Sequence, residues 1–213
     1  MAFQGAACIS AGAAELHIHP RGTDGNESLS AVDETVRAVR LTCPGTLIGV
    51  STGAWIEGDE NKTRRCIEGW RELPDYASVN LSEHDAPAVI DTLHGKGIGV
   101  EAGLATVADA RKFLTHSDRH RVFRVLIEID EKDLRVACDV AEEIAAVLTE
   151  GELRRPVLLH GFDTTVWPFI SLARRRCWST RVGLEDGKHL PDGRITPDNA
   201  TLVSAAMKIF RSA

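Results

Sequence analysis

Short apolar or β-branched runs recur along the chain: AELHIHP (14–20), LIGVST (47–52), YASVNLS (76–82), GIGVEAGL (97–104), RVFRVLIEI (121–129), PVLLHGF (156–162) and TRVGLED (180–186). Between them, apolar positions repeat at helical spacing over 28–42, 61–73, 84–97, 106–116, 133–151 and 165–177. In the first of these, Ser28 or Ser30 offers a cap, and Val32, Val36 and Val39 fall on one stripe. In the last, Pro168 sits in the first turn, where its missing N–H is tolerated. Strands and helices alternate every roughly 20–35 residues, the spacing that right-handed βαβ crossovers need. No repeat, low-complexity segment or linker interrupts the pattern, so residues 1–213 are expected to form a single domain.

Two architectures fit this alternation, a (β/α)8 barrel and an open doubly wound sheet. The pattern shows seven strands, and a barrel needs eight. The chain opens on a helix-like stretch, GAACISAGAAE, that runs straight into the first strand. The helix that should follow a first barrel strand is present, but that strand is not. The expectation is an α/β fold, a (β/α)8 TIM barrel lacking its first β-strand. The length of 213 residues, against about 250 for a typical barrel, points the same way.

Composition narrows the function by exclusion. The net charge of −6 argues against a nucleic-acid binder, which would carry a basic face. The five cysteines contain no CxxC pair, which fits reduced thiols and a cytoplasmic protein. No apolar run is long enough to span a bilayer, and the N-terminus lacks the basic start of a signal peptide.

Side chains at i and i+2 of a strand share a face, so His17 and His19 project together. Two imidazoles at that spacing suit a zinc ion, and equally a hydrogen-bonded pair at a strand end. The strand stops at Pro20, and in a barrel the C-terminal strand ends build the active site. A catalytic zinc takes a third protein ligand, for which the last strand offers Glu185. Asp186 beside it would be free as a general base, although both acids also fit a plain acidic loop. Arg181, five residues before Asp186, can hold a substrate carboxylate, orient Asp186, or pair with Glu185 or Glu101. Ser51, Thr52 and Gly53 end a strand, where hydroxyls and N–H groups can bind an anion or simply turn the chain. Glu101, alone in an apolar strand, must be paired, protonated or coordinated, so it fits an arginine pair or substrate positioning. Asn80 and His160, also near strand ends, read as supporting hydrogen bonders.

Taken together, AELHIHPRGTDGNESL, GVSTGAWIE, YASVNLSE, GIGVEAGL and RVGLEDGKHLPDG resemble the β-keto acid cleavage enzymes, the group that includes 3-keto-5-aminohexanoate cleavage. The resemblance runs from about Ile9 to the C-terminus. It implies a (β/α)8 barrel with zinc on His17, His19 and Glu185, Asp186 as base, and Arg181 beside it. It also implies substrate contacts from the Ser51–Gly53 loop and Glu101. The implied reaction joins a β-keto acid with acetyl-CoA and releases acetoacetate and a new acyl-CoA. The family tends to assemble into homo-oligomers.

Two departures qualify the resemblance. Family members begin with a strand that this chain lacks, which leaves open a misplaced start, a gap filled by another chain, or an inactive metal-binding remnant. Trp167 and Phe169, near the expected mouth, can shape a different acyl pocket. A metal-dependent amidohydrolase also has an early H-x-H, but needs histidines on two middle strands where this chain offers Glu101 and none.

Overall fold

The computed structural model describes residues 1–211. Seven strands form one sheet in chain order: β1 (Glu15–Ile18), β2 (Leu47–Ser51), β3 (Tyr76–Asn80), β4 (Gly99–Leu104), β5 (Arg124–Ile129), β6 (Val157–Gly161) and β7 (Ser179–Thr180). Every neighbouring pair is parallel. A doubly wound sheet would reverse its strand order at a switch point, and this one does not. The fold is therefore an incomplete (β/α)8 barrel, as the alternation of the sequence predicts.

The helices are α1 (Ala2–Ser10), α2 (Val32–Thr42), the short α3 (Ala54–Glu57), α4 (Glu60–Gly69), α5 (Ala86–Gly95), α6 (Val107–Leu114), α7 (Leu134–Glu150), α8 (Val166–Arg176) and α9 (Asn199–Arg211). Local chemistry sets several of their starts. Asp59 and Asp133 accept backbone N–H groups at the heads of α4 and α7, and Thr106 with Asp109 forms a capping box on α6. The predicted valine stripe of α2 is fully buried against the sheet.

β1 and β7 are the two ends of the sheet, so the strand layer is open. The helical layer nonetheless closes across the opening, because α1 packs on both α2 and α9. Register and alternation sort the strand residues onto two faces. Ile48, Val50, Ala77, Val79, Val100, Ala102, Val125 and Ile127 are buried toward the helices. The opposite, inner face carries His17, Ser51, Tyr76, Ser78, Glu101, Arg124 and His160. A parallel sheet covered by core on both faces would read as continuous apolar runs. The inner face of this one is polar, as befits a binding site rather than a dry core.

The predicted strand over 180–186 is corrected. Only Ser179–Thr180 are strand, and the chain then turns: Asp186 N and Gly187 N both donate to Gly183 O, at 3.0 and 3.2 Å. With no strand on its far side, the segment satisfies its backbone locally and through Asn199 Oδ1, which accepts from Leu184 N at 2.8 Å. Two further differences are the early end of α1 at Ser10 and the helix α9, which the periodicity reading passed over.

Candidate active site

A cavity of about 690 Å³ fills the opening between β1 and β7. Its walls are β1 with the residues up to Arg21, the segment 179–186, and faces of α1 and α9. His17, His19, Arg181, Glu185 and Asp186 all line it, so the metal and base candidates converge from opposite ends of the chain. The turn that replaces the expected strand is what swings Glu185 and Asp186 toward β1.

The His17 and His19 rings lie 5.2 Å apart, edge to face, as same-face neighbours on a strand end should. His19 Nε2 is 3.2 Å from Glu185 Oε2, and its Nδ1 is 3.2 Å from Glu27 Oε1. Neither contact is aligned as a hydrogen bond, so both ring nitrogens are buried without a bonded partner, as is His17 Nδ1. Burial opposes charge on His19, but Glu185 and Glu27 outweigh it and hold its pKa above the ordinary value. Burial likewise opposes charge on Glu185, and His19 pulls its pKa down. His17 is different: burial, then the nearby Arg181, push it well below the usual histidine range, so it is a neutral imidazole at pH 7.

These donors can be tested against a cation. Two neutral or neutralisable imidazoles and a carboxylate are a common catalytic zinc set. The 3.2 Å between His19 Nε2 and Glu185 Oε2 is close to the roughly 3.3 Å edge of a tetrahedron with bonds of about 2.0 Å. Buried nitrogens without partners are what such an ion would satisfy. The donor chemistry fits, although among the described residues no three such side chains already form a converged metal group.

Asp186 is almost fully buried, with Oδ1 3.1 Å from His160 Nε2 on β6. Arg181 donates to Glu128 Oε2 at 2.7 Å, rather than to Glu185 or Glu101. Glu101 is fully buried and paired with Arg124, which also pairs with Glu15 across the barrel interior. Thr52 Oγ1 donates to Ser78 O at 2.8 Å, while Ser51 Oγ accepts from Gly53 N at 3.3 Å. Asn80 Nδ2 donates to Glu83 Oε1 at 3.2 Å. The structure thus gathers His17, His19, Arg181, Glu185 and Asp186 on one cavity, and leaves Ser51, Thr52, Gly53, Asn80 and Glu101 off its wall. Sequence reasoning passed over Glu27, Arg124 and Glu128. Arg124 and Glu128 were legible as inward positions of β5, four residues apart and so on one face of the strand.

The histidine environments give a signed pH dependence. An imidazole kept neutral when folded binds fewer protons than when unfolded, so stability falls as pH drops below about 6.5. His17 acts in this direction, as does His94, which burial and Arg121 also push down. His19 has the opposite sign: its contribution is complete below about 6.5 and is lost as pH rises through its raised folded value. With chelator present, the urea midpoint should therefore be lower at about pH 5.5 than at 6.5, and His17→Gln should flatten the difference. A flat wild-type profile would contradict this assignment.

A family model for beta-keto acid cleavage enzyme matches residues 1–148. That span includes His17, His19, Ser51–Gly53, Asn80 and Glu101, and stops before Arg181, Glu185 and Asp186. No curated protein matches the chain in sequence. Among solved structures, ObcA in a ternary complex with a C4-CoA adduct and oxalate superposes with a TM-score of 0.79 and 16% identity, over 97% of this chain and 61% of that one. The binary complex of ObcA with oxaloacetate gives 0.77 and 16%, again over 97% and 61%. The 3-dehydroquinate dehydratase from Geobacillus kaustophilus HTA426 gives 0.56 and 13%, over 98% and 86%. These likenesses are of fold, and the chain spans about three fifths of the length of ObcA. The family match over more than half of the sequence carries the further conclusion that this chain belongs to the beta-keto acid cleavage enzyme family.

Proposed function

We propose that this chain carries the active site of a zinc-dependent β-keto acid cleavage enzyme, which condenses a β-keto acid with acetyl-CoA to give acetoacetate and a new acyl-CoA. The observation that supports it most is the meeting of His17, His19, Glu185, Asp186 and Arg181 on one cavity wall. Family membership supports the β-keto acid. The ObcA complexes hold oxaloacetate, itself a β-keto acid, and a CoA adduct.

His17, His19 and Glu185 would hold the zinc, which when bound supplies a Lewis acid for the keto oxygen and the enolate charge. Asp186 takes the proton from the carbon between the keto and carboxylate groups. Its burial excludes water from that step, and His160 Nε2 stands 3.1 Å from its Oδ1. Arg181, fixed by Glu128, presents its remaining N–H groups to the substrate carboxylate. The enolate carbon attacks the thioester carbonyl of acetyl-CoA. The CoA thiolate leaves the acetyl carbonyl and adds to the keto carbon. The bond between that carbon and the former enolate carbon then breaks, giving the new acyl-CoA and the enolate of acetoacetate, which takes back the proton from Asp186. No oxidant or reductant is consumed.

The test joins metal analysis to turnover. Elemental mass spectrometry of the folded, monodisperse chain should find about one zinc per chain. Acetoacetate should form from acetyl-CoA and a panel of β-keto acids, and His17→Ala should remove both zinc and turnover. Turnover that survives His17→Ala would refute the metal mechanism. A folded chain that rejects added zinc would end the zinc reading altogether.

A further inference from the structure

We infer that Glu27 is the positioning residue that presents His19 to a cation, by taking the Nδ1 side of its imidazole and leaving Nε2 for the ion with Glu185. This rests on the zinc reading above and adds a residue to it. Glu27 lies in the loop after β1, at the end of the stretch AELHIHPRGTDGNESL, and the family resemblance gives it no role.

The loop is built to bring Glu27 back to the strand end. Arg21 and Glu27 form an antiparallel bridge, Gly22 N donates to Asn26 O at 2.8 Å, and Ser28 N donates to Pro20 O at 2.9 Å. Asp24 accepts from both the backbone and side-chain nitrogens of Asn26 at 3.0 Å and closes the tip. The two Glu27 oxygens then have separate tasks. Oε1 faces His19 Nδ1 at 3.2 Å, and Oε2 accepts from Trp55 Nε1 at 3.4 Å. The Trp55 ring reaches that position across Gly53, where a Cβ would lie 2.2 Å from the ring. Glycine at the end of the Ser-Thr-Gly triplet thus has a physical task that the anion-loop reading did not contain: it admits the tryptophan that anchors Glu27.

The chemistry follows from the tautomer. A neutral imidazole that gives its Nδ1 proton to a carboxylate has its lone pair on Nε2. That is the atom 3.2 Å from Glu185 Oε2, the spacing of two ligands on one ion. Ligating histidines characteristically give their other N–H to a carboxylate, which fixes the ring and raises its basicity. His19 already has such a carboxylate in place, and the inference requires the contact to align when an ion takes Nε2.

Competition titration of zinc against a chromophoric chelator tests this on the full chain. Glu27→Leu should weaken zinc binding by about 10- to 100-fold, and Glu27→Gln, which keeps an acceptor oxygen, by less. In the zinc-loaded protein, imidazole ¹⁵N shifts should place the His19 proton on Nδ1. If Glu27→Leu does not fold, Glu27→Gln and the ¹⁵N shifts decide the matter. Both variants binding zinc within about twofold of a zinc-binding wild type, or a His19 proton on Nε2, would overturn the role of Glu27 alone. A wild type that binds no zinc would overturn the metal reading and this inference with it.

Discussion

Arg124→Met should destabilise the chain by about 3–5 kcal/mol, the usual cost of removing one partner from a buried ion pair. Arg124 is the positive charge of a triad inside the open barrel. It pairs with fully buried Glu101 on the adjacent strand and with Glu15 on β1, 109 residues away in sequence. Its guanidinium lies over the Tyr76 ring at 4.7 Å, and Tyr76 stacks on Phe123 at 5.1 Å. The Glu15 arm spans from β5 to the end of the sheet, so it helps hold the curl where the strand ring is open. Loss of Arg124 leaves Glu101, at 0% exposure, without its paired countercharge and with only the weaker pull of Arg181. Burial already raises the Glu101 pKa, against the pull of Arg124. Without the arginine, the carboxyl stays protonated when folded and ionises on unfolding. The variant then loses stability as pH rises above about 4.5, because the folded state holds the extra proton. Thermal unfolding at neutral pH should fall by an amount on the order of 10 °C. A loss under about 1 kcal/mol would mean that the triad is no more than a surface pair and that packing alone holds the curl.

The strand–helix alternation carried the fold, because period-2 and period-3.6 patterns are local and survive without tertiary information. The first six strands, the valine stripe of α2 and the proline-tolerant start of α8 were all readable that way. The end of the sheet was not. TRVGLED alternates like a strand, yet Arg181 to Asp186 have no neighbour on one side, and a backbone without a ladder partner finds its bonds in a turn. The site followed the same division. His17 with His19, and Glu185 with Asp186, are close in sequence and were seen as pairs. That the pairs meet at 3.2 Å depends on that turn, which no pattern in the chain announces. Glu101 shows the converse: the sequence demanded a partner for a buried carboxylate, but only the register of β4 against β5 identifies Arg124.

Asp186→Asn should lower kcat by about 10²- to 10⁴-fold with little change in KM, if Asp186 is the base of the proposed reaction. The amide matches the carboxylate in size, so the cavity keeps its shape. It can still face His160 Nε2, from which Asp186 Oδ1 now stands 3.1 Å. What it loses is the ability to hold a proton taken from the substrate. Zinc content should be unchanged, because Glu185 rather than Asp186 belongs to the proposed ligand set, and that separates the base from the metal in one pair of measurements. Solvent-deuterium exchange at the acidic carbon of the β-keto acid, without acetyl-CoA, isolates the proton transfer and should fall in parallel with kcat. A variant that keeps its exchange rate but loses turnover would assign Asp186 to the later carbon–carbon step. A variant with full turnover would move the base elsewhere on the cavity wall, where Glu15 and Glu185 also stand; Glu185 in that role would be unavailable as a zinc ligand.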